Sequence, residues 1–172
     1  MAVAPAAIAF FVSSLKATHV PEPGITVEAL EQELIELLQK EGIEIKGTRR
    51  VAGFGASPAI ANDGFGSALA RRPDVIGFDP GKRRIVFGVV RPDRGSLDNE
   101  EALEEYNVFL DHNARAGDQA SVLYVIMPDT LVNEFTSIMT HYIHREYWHR
   151  VIIVPAKNKI ASGAKGAPSR PR

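Results

Sequence analysis

Residues 73–78 and 84–91 both carry strand-like apolar patterns, and Asp79-Pro-Gly-Lys82 separates them. Proline fixes one turn dihedral and glycine tolerates the others, so this tetrapeptide reverses the chain and makes a hairpin of its flanks. Every other element has to be arranged around that hairpin. Upstream, Val27, Leu30, Leu34, Leu37 and Leu38 recur at helical spacing behind Thr26, a natural N-cap, and Gly42 supplies a stop, so a helix is expected over 27–41. Glu28 and Glu31 fall in its first turns, where the helix dipole favours negative charge. Ile43-Glu-Ile-Lys46 alternates with period two, and residues 49–54 extend the same strand. Downstream, Asp98 with Glu101 forms a capping-box-like start for a helix running to about 114, with Leu103, Tyr106 and Leu110 as its stripe. A buried strand over 121–127, a helix over 130–147 and a strand over 151–154 complete the order. A hairpin early and strand–helix–strand crossovers late predict an α/β protein, a mixed central sheet flanked by helices.

The 172 residues, 45% of them apolar, suit one domain with a sizeable core. The expected division is a single domain over 1–155 and a basic, flexible tail over 156–172, which is rich in Gly, Pro, Ala and Lys/Arg. Absence of cysteine excludes a disulfide framework, a Cys-based zinc site and a thiol nucleophile, and agrees with a reducing compartment. The longest apolar run, residues 2–12, is too short to span a membrane, and the first basic residue, Lys16, lies behind it rather than ahead. A packed N-terminal helix is therefore expected in place of a cleaved signal, and the chain reads as cytoplasmic with no membrane partner.

A net charge of −1 conceals strong segregation. Residues 1–45 hold two basic side chains against seven acids; residues 46–94 hold ten basic against four acidic. Residues 95–155 hold three basic against ten acidic, and the tail is purely basic. One basic face on an acidic body is the expected outcome, and phosphate backbones are an obvious partner for it. The alternative is that paired arginines merely keep a loop soluble.

Residues 71–91, Arg-Arg-Pro-Asp-Val-Ile-Gly-Phe-Asp-Pro-Gly-Lys-Arg-Arg-Ile-Val-Phe-Gly-Val-Val-Arg, resemble the central hairpin of the PD-(D/E)XK nuclease superfamily, the restriction-endonuclease-like fold. The resemblance implies an αβββαβ core, which the element order from Val27 to Met127 follows. It also implies metal-assisted phosphodiester hydrolysis, in which two acids hold a divalent cation and a lysine positions the nucleophile. Asp74 matches the first acid and would be both catalytic group and Mg²⁺ or Mn²⁺ ligand in an active enzyme. Aligned on the family strand, Gly88 stands where the second acid belongs and Val90 where the lysine belongs. Glu33, Glu36 or Glu41 on the first helix could supply a missing carboxylate, whereas Asp79 and Lys82 lie too far along the hairpin. Tyr106 has Ala102, not glutamine, four residues before it, so a Gln-x-x-x-Tyr motif is lacking. The expectation is a degenerate active site without a cofactor, with Asp74 capping backbone amides or pairing with Arg71 or Arg72.

Other motifs are weaker. His141 and His144, three apart on the expected helix, could share a metal, but no carboxylate completes the set. With Tyr142, Tyr147, Trp148 and His149 they read better as an aromatic belt at a dimer contact. Gly53-Phe-Gly55 and Gly64-Phe-Gly66 fit no phosphate-loop pattern, and Phe54 and Phe65 are read as core anchors ahead of base-stacking groups. Ser57 lacks a nucleophile elbow. The expected function is a catalytically inactive nuclease-like domain that binds nucleic acid, or a partner that processes it, through Arg49, Arg50, Arg71, Arg72, Arg91 and Arg94. The alternatives are a protein-interaction or homo-oligomerisation module using 141–149, and a metal-dependent nuclease with its site relocated around Asp74.

Overall fold

The computed structural model describes residues 25–61 and 69–157. Helix α1 (Val27–Lys40) leads into strand β1 (Glu44–Thr48) and the hairpin β2 (Val75–Asp79) and β3 (Arg84–Val90). Then come α2 (Glu100–Leu110), β4 (Val122–Met127), α3 (Val132–Tyr142) and β5 (Val151–Pro155). The five strands form one sheet in chain order: β1, β2 and β3 run antiparallel to their neighbours, whereas β3, β4 and β5 run parallel. Both parallel crossovers step the same way across the sheet, so the right-handed rule puts α2 and α3 on one face. Helix α1 covers the other.

Strand β3 shows how the two layers form. Its residues alternate, Val86 and Val90 facing the α1 core of Leu30, Leu34, Ile35 and Leu38, and Phe87 and Val89 facing Tyr106, Phe109 and Phe135. All of these are buried. Each large side chain so placed contributes about 1.5–3 kcal/mol of transfer free energy. Gly88 faces α1 as well: a Cβ there would lie 2.7 Å from Leu34 Cδ2 and 3.2 Å from the Val75 Cβ. The helix packs closely because that side chain is missing, so Gly88 is part of the helix–sheet contact and has no room for an acid.

Some expected boundaries move. The strand does not continue over 49–54; after Thr48 the chain turns, and the Arg49 N–H donates to the Asp74 carbonyl at 2.8 Å. The cap of α2 is Asn99, whose side chain accepts from the Ala102 N–H at 2.8 Å, because Asp98 is held by Arg94. That helix stops at Leu110, short of 114. The last helix ends at Tyr142, with Ile143 extended and a 3₁₀ segment at Arg145–Arg150, so His141 and His144 do not share a helix face. Trp148 Nε1 donates to the Ile143 carbonyl at 2.9 Å, and Tyr147 and Trp148 pack inward against the core. The expected N-terminal helix, Phe65 and most of the basic tail lie outside the described residues.

Candidate functional site

Two buried acids meet where β2 begins and β3 ends. Glu31 is fully buried and Asp74 is 3% exposed. Glu31 occupies the apolar stripe of α1, between Leu30 and Leu34, and points at the turn after β1. One of its oxygens accepts the Arg49 and Arg50 N–H groups at 3.0 and 2.9 Å, tying that turn to the helix. Asp74 Oδ2 accepts the Val90 N–H at 2.8 Å, as the capping reading of this residue required. The remaining oxygens face one guanidinium. Arg50 Nη1 donates to Glu31 Oε2 at 2.9 Å and to Asp74 Oδ1 at 2.6 Å, so a single cationic nitrogen bridges both carboxylates. Partial burial opposes the Arg50 charge, but Asp74 and Glu31 more than offset this and raise its pKa. Arg49 is looser, 3.8 Å from Asp74 with its side chain 40% exposed.

A second network lies against α2. Arg91 is 6% exposed. Its Nε donates to the Tyr106 hydroxyl at 2.7 Å and its Nη2 to Glu105 at 2.6 Å, while its carbon stacks 5.0 Å from the Tyr106 ring centroid. The Tyr106 hydroxyl in turn donates to the Leu97 carbonyl at 2.9 Å. Burial pushes the Glu105 carboxyl above its usual value, against the pull of Arg91. It pushes the Tyr106 phenol up as well.

Between the networks is a small polar cavity of about 150 Å³, lined by Arg49, Arg50 and Arg91 and by Asp74, Glu101 and Glu105, among others. Three cations face three carboxylates, so the cleft is close to neutral. Among the described residues no group of three or more His, Asp or Glu could hold a metal ion.

The six arginines therefore separate. Arg50 and Arg91 serve the internal networks; Arg71 is paired with Glu104, and Arg94 with Asp98 at 2.7 Å and with Glu134. Arg72 is exposed with no ion pair among the described residues and stands two residues before Asp74 in the chain. The helix glutamates considered as substitutes point elsewhere. Glu33 accepts the Lys157 N–H at 2.6 Å, Glu36 accepts from Gln32 at 3.0 Å, and Glu41 accepts from the Tyr124 hydroxyl at 2.7 Å. The carboxylate that does reach Asp74's partner is Glu31. Its signal was available: a charge at an apolar position of an amphipathic helix needs a buried partner. Glu105 carries the same signal, one residue before Tyr106 on the buried stripe of α2. Phe54 packs against the α1 core.

No family model, curated protein or solved structure matches this chain. Among the described residues no helix is long and apolar enough to cross a membrane.

Proposed function

We propose that this chain is a nuclease-like domain that does not hydrolyse phosphodiesters and binds nucleic acid through Arg49, at the polar cavity beside Asp74, and Arg72, two residues before Asp74 in the chain. The observation that carries the reading is the position of Arg50 Nη1, within 2.9 Å of Glu31 and 2.6 Å of Asp74. It stands where a divalent ion would bridge two carboxylates, and a fixed guanidinium can neither polarise a phosphate by inner-shell contact nor activate a water. The order α1-β1-β2-β3-α2-β4, with β4 parallel to β3, supports the αβββαβ core that the resemblance implies. Sliding the family motif by one residue, to Val89-Val90-Arg91, also leaves the acid slot apolar, while the basic slot holds an arginine bonded to Glu105. The domain works without a cofactor.

Of the six arginines, Arg49 and Arg72 carry the binding, because Arg72 has no carboxylate partner among the described residues and Arg49 has only a long contact to Asp74 at 3.8 Å, whereas the other four are held closely. Two phosphate contacts add about two units to the salt slope and no base specificity. The test is incubation with single-stranded, duplex and branched DNA, and with RNA, in Mg²⁺ or Mn²⁺, beside the Asp74→Ala variant. Expected are no cleavage and a salt-sensitive retardation that weakens on all sequences in Arg49→Ala/Arg72→Ala. Cleavage lost in Asp74→Ala would establish a relocated nuclease site. Neither cleavage nor retardation would favour the interaction module, for which the structure offers Tyr142, 57% exposed at the end of α3.

A further inference from the structure

The crossover helices α2 and α3 join β3 to β4 and β4 to β5, so no described helix lies over β1 and β2 on that face of the sheet. There the residues of β2 alternate: Val75 and Gly77 face α1, whereas Ile76 and Phe78 face the open side, with Ile85 of β3 opposite Phe78. Ile76, Phe78 and Ile85 floor a pocket of about 380 Å³, rimmed by Lys46, Arg115 and Asp118. Pockets of about 300–1,000 Å³ are the usual size for taking a small ligand. Two groups in it have no partner among the described residues. The first is the Phe78 ring: Ile76 and Ile85 pack against the α2 core, but the half-buried Phe78 belongs to neither buried core and stacks on no other ring. The second is the Arg115 guanidinium, exposed and without an ion pair. Its loop is nonetheless fixed against the hairpin turn. The Gln119 N–H donates to the Arg83 carbonyl at 2.9 Å, and the Asp118 carboxylate accepts from the Arg83 guanidinium at 3.2 Å. Lys46 is held by Glu44 at 2.5 Å, in a pair more than half exposed, and such a pair contributes little.

An aromatic face beside cations is the combination that an unstacked nucleotide needs, the ring taking the base and the cations its phosphate. We propose that this pocket holds one base of a single strand, stacked on Phe78 with its backbone at Lys46 and Arg115. The proposal rests on the nucleic-acid reading above and makes it specific for single strands. In a duplex the faces of each base are already stacked, and the grooves offer base edges alone. The pocket is continuous with the first site. Lys46 stands three residues before Arg49, at most about 10 Å along the chain, so one short strand spans both. The charge agrees as well: with their ion-pair partners counted, Lys46, Arg83 and Arg115 outnumber Glu44 and Asp118 by one. No sequence preference follows, because every base has a face to stack.

The test compares two short fluorescent DNA strands by anisotropy at fixed salt: oligothymidylate, and a strand of the same length and charge that is abasic throughout. The full chain is expected to bind the thymidylate strand at least about fivefold tighter, the effect of one stacked base. Phe78→Leu, which keeps an apolar floor without a ring, should bring the two affinities together, whereas Phe78→Tyr should keep the preference. Arg115→Ala should weaken both strands. Thermal melting by circular dichroism checks the fold of each variant. Equal affinity of the wild type for the two strands, or a preference that survives in Phe78→Leu, would overturn the proposal and leave phosphate binding at Arg49 intact. Absence of binding to either strand would overturn the nucleic-acid reading itself, and this proposal with it.

Discussion

Replacing Arg50 by alanine strips both buried carboxylates of their shared cation. Glu31 is completely buried and the Asp74 side chain is 5% exposed, so neither can recover full hydration in a rigid fold. Breaking a fully buried pair costs about 3–5 kcal/mol. Two features reduce this. Arg50 is itself 34% exposed, which screens the interaction. Glu31 also keeps the Arg49 and Arg50 N–H groups, and Asp74 keeps the Val90 N–H. A loss of about 2–3 kcal/mol is expected, or roughly 4–12 °C in Tm for a domain of this size. Urea denaturation followed by far-ultraviolet circular dichroism measures it directly. Adding Glu31→Gln or Asp74→Asn to the Arg50→Ala background, which removes one stranded charge at constant shape, recovers part of the loss. A loss below about 0.5 kcal/mol, with no recovery in the double variants, would refute the idea that Arg50 neutralises these two acids.

Two further outcomes follow from the packing and the titrations. Gly88→Ala places a Cβ 2.7 Å from Leu34 Cδ2 and should cost about 1–3 kcal/mol; Leu34→Ala in the same chain should lessen that particular cost, as a double-mutant cycle by thermal melting would show. The Asp111 carboxylate, accepting the Tyr147 hydroxyl, and partial burial push the Tyr147 phenol up to about 12. Because the folded value is raised, the stabilisation from this bond is complete below the unfolded value of about 10 and is lost as the pH climbs through 12. Tyr147→Phe should lose about 0.5–1.5 kcal/mol below pH 10 and flatten the decline between 10 and 12, measured by chemical denaturation across that range.

The elements read most clearly from sequence are those whose side-chain period is unbroken. The α1 stripe and the β2–β3 hairpin needed only local chemistry, and their observed spans follow the expected ones closely. Errors arose where two neighbouring residues could do the same job. Asp98 and Asn99 are both good caps, and the choice fell to Asn99 because Arg94 had already engaged Asp98, a contact that a capping rule does not contain. The apolar spacing that suggested a helix to 147 continues past Tyr142, but Tyr147 and Trp148 reach the core from a 3₁₀ turn instead. Periodicity reports which residues are buried more reliably than the backbone that buries them.

The charge pattern was harder to read because block counts hold no information on pairing. Ten basic residues against four acids over 46–94 implies a basic face only if those side chains stay in solvent. In the fold, the surplus is absorbed by carboxylates from the acidic blocks on either side. Arg50 reaches back to Glu31, 19 residues away, and Arg71 and Arg91 reach forward to Glu104 and Glu105, 33 and 14 residues away. The alternation of acidic and basic segments is thus largely the linear trace of ion pairs that close when α1 and α2 pack on the two faces of the hairpin. The residues that reveal this are not the arginines but the misplaced acids, Glu31 and Glu105, each sitting where an amphipathic helix should be apolar. An acid at such a position demands a buried cation, and the hairpin between the two helices is where the chain keeps its arginines. A search for functional charge in a sequence of this kind should therefore begin by subtracting those pairs. For residues 46–94 the subtraction leaves, among the described residues, the exposed Arg72 and Lys82 and the loosely held Arg49, 3.8 Å from Asp74, a far smaller basic surface than the raw count implies.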